Sequence, residues 1–251
     1  MIWNVTLELL KGLGTTTQIF LFTLLFALPL GLVMAFGCMS QWRPFQFLLR
    51  PKKREEGEEE EEVPEPGPVA RALAKVRPIG PLCNVIVWVV RGTPLMLQLI
   101  AFMYIPGILN CHIWPDGDPG RIMATVVAFS INYACYFSVI YRGGIQGVPV
   151  GQREAAQVLG MTRSQIFFKI TLLQMVKRIV PPMSNEIITL VKDTSLARVI
   201  AVYELTFTGY SYMKSSGLVW PLFYTGVFYL VFVGVLTVLF NLIERKLSYF
   251  R

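Results

Sequence analysis

Apolar residues along the chain come in long blocks, and polar ones are gathered between them. Five blocks, at residues 13–39, 85–109, 122–141, 181–203 and 218–243, each reach the roughly 20 residues that a helix needs to cross a bilayer. The pattern predicts an all-α integral membrane protein with about five transmembrane helices. The first block is read as a retained span rather than a cleavable signal sequence, because its apolar part is long, its leading residues are not basic and no small-residue cleavage site follows.

Between the third and fourth blocks stands GQREAAQVLGMTRSQIFFKITLLQ, residues 151–174. Residues 151–159 hold strong helix formers at Glu154, Ala155, Ala156 and Gln157, and Gly160 stands where a left-handed residue would end the helix. Thr162 and Gln165 then match a capping box, so a second helix starts at once. Two short helices meeting at a glycine, one rich in small side chains, form a knob suited to a groove on another protein. An amphipathic connector lying on the membrane surface has the same periodicity.

Three polar features interrupt the blocks. In WVVRGTPLMLQ, residues 88–98, Gly92 and Pro94 break the helical pattern beside Arg91, which predicts an elbow with the arginine stem snorkelling to the headgroups. In NEIITLVKDTSL, residues 185–196, Asn185, Thr189 and Lys192 fall on one stripe, with Glu186 and Asp193 on the adjoining one. Lys or Asp at the centre of a lipid-facing helix costs about 2.5–3.5 kcal/mol on insertion scales, so this wedge is expected to face protein or water. Its helix is expected to begin at Pro181-Pro182. In the third block Asn132, Tyr136 and Val139 form a milder stripe, read as cavity-facing or as polar glue between helices.

Composition agrees with the blocks: of 251 residues 54% are hydrophobic and only 16% charged, more apolar than an ordinary soluble domain. Lys and Arg gather after the first and third blocks and at the C-terminus, whereas residues 110–120 contain neither. Positive-inside bias then puts the N-terminus outside, the C-terminus and the 151–174 stretch in the cytoplasm, and accounts for the net charge of +7 without nucleic acid. Residues 1–50 are read as the first span and its inner flank, and 51–80 as a charged cytoplasmic loop. The acidic and proline-rich run at 55–68 is expected to be disordered. Residues 81–251 form the core. Cys38, Cys83, Cys111 and Cys135 lack metal or disulfide spacing and read as packing residues, and His112 as a surface residue.

The motif E-A-A-x-x-x-G at 154–160, followed by Ile170 and Leu173, resembles the signature of permease subunits of ATP-binding-cassette importers. RGTPL at 91–95, RGGI at 142–145, GQxEAAxxLGM at 151–161 and the whole of 185–196 resemble the polar amino-acid branch, which takes up histidine, glutamine or arginine. The likeness covers about residues 15–110 without the acidic loop, and 123–245 nearly continuously.

The resemblance implies a type I importer permease in the bacterial cytoplasmic membrane, paired with a second permease subunit, identical or similar. ATP-binding-cassette ATPase subunits would dock from the cytoplasm and carry the ATP and Mg, since this chain has no phosphate-loop motif and no cofactor of its own is expected. An extracytoplasmic binding protein would deliver the amino acid. Glu154, Ala155, Ala156 and Gly160 would couple to the ATPase, the alanines permitting close approach and Glu154 capping or pairing. The substrate path would use Asn132, Tyr136, Val139, Asn185, Glu186, Lys192, Asp193, Thr194 and Ser195, whose opposite charges suit a zwitterion. The sequence departs from the family at Leu173, where relatives carry proline, so the joint after the coupling helices should bend less sharply. It departs again at Val139, where many relatives carry glutamate, which disfavours basic amino acids. An enzyme is excluded by the lack of any catalytic constellation. An ion-coupled transporter or channel working alone is the alternative, with a sensor or anchor as a third.

Overall fold

The computed structural model describes residues 2–45, 67, 69 and 75–247, so nearly all of the acidic run at 55–68 lies outside the described residues. Among those described, every regular element is helical: α1 (Ile2–Met39), α2 (Ile79–Gly92), α3 (Leu95–Ile108), α4 (Asp118–Gln146), α5 (Val150–Val158), α6 (Arg163–Ile166), a π-turn (Phe167–Thr171), α7 (Leu172–Asp193), a 3-10 segment (Thr194–Ile200), α8 (Leu205–Ser216) and α9 (Trp220–Leu247). Helices α1, α4 and α9 are each long and apolar enough to cross a membrane, and α2 with α3 forms a candidate fourth crossing bent by 104°. The fourth predicted block, 181–203, is divided here between the end of α7 and the 3-10 segment.

Helix α4 is the centre of the molecule, with Phe129, Tyr133 and Phe137 fully or almost fully buried. It packs most extensively against α1. Gly31 of α1 makes that approach possible, because a Cβ there would stand 2.8 Å from Phe137 Cβ and 3.0 Å from the Ala134 carbonyl. Gly144 does the same for α7, where a Cβ would collide with Ile179 at 2.3 Å. Small residues let helices pack closely where lipid offers no hydrophobic gain from association.

The predicted elbow is present. Pro94 bars Thr93 from the α region, and Thr93 is extended (φ −113°, ψ 146°). The break frees backbone carbonyls, which must be satisfied inside apolar surroundings. Gln98 does this from the next helix: its Nε2 donates to the Val90 carbonyl at 2.7 Å and to Thr93 Oγ1 at 2.8 Å. A second proline is compensated in the same way. Pro106 has no N–H for the Phe102 carbonyl four residues earlier, and the indole of Trp114 donates to that oxygen at 2.8 Å.

Pro181 and Pro182 lie inside α7, which begins at Leu172. The expected start at Pro181 is thus corrected. The helix is carried in from the π-turn, and its apolar stripe of Met175, Ile179, Met183, Ile187 and Leu190 runs unbroken into the core. Both prolines are exposed, so the amides they lack lie on the outer side. Beyond α7 the chain ends its 3-10 turn at left-handed Ala201 (φ 58°), whose carbonyl accepts from Arg121 at 3.2 Å. The next helix is capped by a fully buried carboxylate: Glu204 accepts from the Thr206 and Phe207 amides, each at 2.7 Å, and from the Tyr229 hydroxyl at 3.0 Å.

Candidate functional site: a docking knob and a polar cluster joined by one helix

The helix pair at 150–166 forms as its sequence predicts, with α5 starting one residue earlier, at Val150. Gly160 is left-handed (φ 72°). Its amide donates to the Gln157 carbonyl at 2.9 Å and that of Met161 to the Ala156 carbonyl at 3.1 Å, the two bonds of a Schellman ending. The capping box is complete: the Gln165 amide donates to Thr162 Oγ1 at 3.3 Å and the Thr162 amide to Gln165 Oε1 at 2.9 Å. These paired bonds fix the angle between α5 and α6. Gln174 of α7 also donates to Gln152 of α5, which ties the knob to the long helix.

The four expected coupling residues divide. Ala155 and Glu154 are exposed, and Glu154 makes no hydrogen bond among the described residues. Ala156 points inward at 2% exposure, so it packs the turn and does not face outward. The apolar surface of the knob is instead Val158 and Leu159, 88% and 79% exposed. Their spacing on a nine-residue helix gave no periodic signal in the sequence.

From Thr162 onward the backbone is helical without a break to Asp193. The joint lacking proline at Leu173 passes through the π-turn, in which the Leu172 amide donates to the Phe167 carbonyl. At 1.5 Å per residue this arm is about 45 Å long.

At its far end stands the polar cluster. Tyr133 donates to Asp193 Oδ2 at 2.7 Å. Tyr136 stands 6.2 Å from Tyr133 between ring centroids, and the guanidinium carbon of Arg91 lies over the Tyr136 ring at 4.9 Å. Arg91 is itself exposed, and its guanidinium lies over this half-buried ring. Glu186, half-buried, is within electrostatic reach of both Arg91 and Asp193.

The remaining expected path residues separate. Asn132 is buried and donates to Gln98 Oε1 at 3.0 Å, so it latches the elbow to α4. Val139 is half-buried one turn beyond Tyr136. Thr194 is buried and bonded to the Val191 carbonyl at 2.6 Å, while Ser195 is half-buried. Asn185 and Lys192 are exposed on the other flank of α7, and Lys192 has no hydrogen bond or ion pair among the described residues. Gln98 was missed from the sequence, although a lone glutamine in an apolar span was its available signal. The cysteines also gather more than their spacing implied, with Cys83 Sγ lying 2.8 Å from where a Gly37 Cβ would be, next to Cys38.

Residues 68–249 match the family model described as binding-protein-dependent transport system inner membrane component. The arginine transport system permease protein ArtQ of Bacillus subtilis (strain 168) is 30% identical over 96% of this chain and 92% of its own length. The L-cystine transport system permease protein TcyB of the same organism is 41% identical over 53% of this chain, and there the match spans only 54% of the relative. A solved structure described as an amino acid ABC transporter with histidines superposes with a TM-score of 0.76 at 25% identity, covering 98% of this chain and 96% of that one.

Proposed function

The chain belongs to the family of binding-protein-dependent transport system inner membrane components, and from that premise we propose how its parts work. It is the permease subunit of an importer that moves a polar amino acid into the cytoplasm by alternating access. Catalysis of ATP hydrolysis belongs to a partner ATPase, which holds the ATP and Mg.

One observation carries this reading: the arm that ends at the polar cluster at Asp193 begins at Thr162, directly after the turn that joins it to the exposed helix α5. A displacement imposed on Val158 and Leu159 by a docked ATPase is carried along α7 as a rigid body. It reaches the Tyr133–Asp193 contact, where a small shift opens or closes the path. The two hydrogen bonds of the capping box and the Schellman ending at Gly160 keep the lever stiff at the turn between α5 and α6.

The residues that share an end with the knob support an orientation. Arg142 donates to Asn84 beside the C-terminus of α1 at 2.7 Å, and Arg178 lies against Gly147. These basic groups share one end with the knob, whereas Arg121 at the opposite end of α4 pairs with Asp118 at 3.2 Å. By the positive-inside rule these basic groups support a knob in the cytoplasm and an N-terminus outside. A second permease subunit covers the exposed polar flank of Asn185 and Lys192, which would be costly against lipid. An extracytoplasmic binding protein delivers the substrate to the outer end.

Co-purification followed by uptake in proteoliposomes tests the reading. ATP-dependent accumulation of a labelled amino acid, with an ATPase and the binding protein present, is the expected result. Uptake that persists after ATP depletion would replace the importer with an ion-coupled transporter.

A further inference from the structure

Two basic residues flank the polar cluster: Lys192 acts on Asp193 from the adjoining position of its own helix, and Arg91 reaches Glu186 from the elbow. Lys192 follows the helix round to the exposed flank, about 100° from Asp193. Arg91 comes from the elbow on α2 and lays its guanidinium over Tyr136. Tyr136 lies five residues before the inner end of its predicted span, about 7–8 Å along the helix. The exposed Arg91 thus lies over a ring of the apolar block, and an ionisable side chain in such a place calls for a partner.

A guanidinium held over a ring can still offer its N–H fork to a carboxylate. None of the Arg91 donors has an acceptor among the described residues. Glu186, on the facing helix, is within electrostatic reach and is not ion-paired with it. The cluster thus presents an open bidentate cation on one side and two carboxylates, Glu186 and Asp193, on the other.

We propose that Arg91 holds the α-carboxylate of the transported amino acid while Glu186 and Asp193 face its ammonium group. This rests on the reading of the cluster as the substrate path. It moves the positive end of the zwitterion site from Lys192 to the elbow, and it makes the elbow a moving clamp. Gln98 and Asn132, which bond the elbow to α4, become the residues that position the clamp. Val139 stands one helical turn from Tyr136 and adds no charge there, which leaves Glu186 as the acid within reach of Arg91.

The test is equilibrium binding to the permease–ATPase complex in nanodiscs, with no binding protein present. The common L-amino acids and L-cystine are screened first, and the tightest binder is then compared with its own α-carboxamide. A ratio of affinities is independent of how much of a preparation is folded. The wild-type complex should favour the acid over the amide by on the order of tenfold or more, as a charge-assisted bidentate contact implies. Arg91→Gln should bring the ratio to within about twofold and Arg91→Lys should keep an intermediate value. Lys192→Gln should leave it unchanged. A wild-type preference that Arg91→Gln retains in full overturns the clamp and leaves the path standing. A wild-type complex that binds none of the amino acids removes both.

Discussion

Tyr133 on α4 donates its hydroxyl hydrogen to Asp193 at the end of α7, at 2.7 Å across 60 residues of sequence. The bond joins the central helix to the tip of the arm whose other end adjoins the knob. Tyr133 is 2% exposed, so its hydroxyl has no access to bulk water as a substitute. Tyr133→Phe should destabilise the complex by about 1–3 kcal/mol by leaving the carboxylate without its donor.

Asp193→Asn separates charge from hydrogen bonding at the same contact. The amide oxygen still accepts from Tyr133, so thermal stability should change by less than about 1 kcal/mol. Uptake should fall on the order of tenfold, because the charge facing the substrate is gone. Melting temperature and initial uptake rate measured on one preparation check this, and a variant that transports normally assigns Asp193 to holding the helix alone.

Val139→Glu places an acid one turn from Tyr136, the residue whose ring Arg91 covers. Neighbours at that spacing have Cβ atoms about 5–6 Å apart. The new carboxylate should attract a cationic side chain and raise the uptake ratio of arginine to glutamine on the order of tenfold. An unchanged ratio in competition assays counts against a role for position 139 in selectivity.

Trp114 and Pro106 form a pair that a double-mutant cycle can isolate. Trp114→Phe strips the Phe102 carbonyl of its donor and should cost about 1–3 kcal/mol of stability. Pro106→Ala supplies a backbone amide to the same oxygen, so in that background Trp114→Phe should cost less by about 1 kcal/mol. Additive effects would show that the indole acts only through packing.

How much of this was readable in the sequence depends on distance along the chain. The helix pair, its turn at Gly160, the capping box and the elbow at Thr93–Pro94 rest on residues within about one helical turn of each other, and the structure has all of them. The prolines of α7 misled because local propensity puts Pro181 at a helix start, whereas a helix already wound from the π-turn carries through them on its exposed side. Helical phase correctly put Lys192 and Asp193 on different faces, but which face met α4 depended on packing across 60 residues. Gln98 with Asn132, and Glu204 with Tyr229, are likewise polar pairs whose partners lie far off in sequence. Only the assembled helices disclose them.

Val158 and Leu159 give the most direct test of the lever, because they are exposed and hold nothing together within the chain. Val158→Asp and Leu159→Asp leave the Schellman ending and the capping box intact while placing charge on the surface expected to enter the ATPase. The measurement is amino acid transported per ATP hydrolysed by the reconstituted complex, beside the melting temperature of the permease. A fall of at least tenfold in that ratio, with the melting temperature unchanged, is the expected result. Normal coupling with both aspartates in place would contradict it.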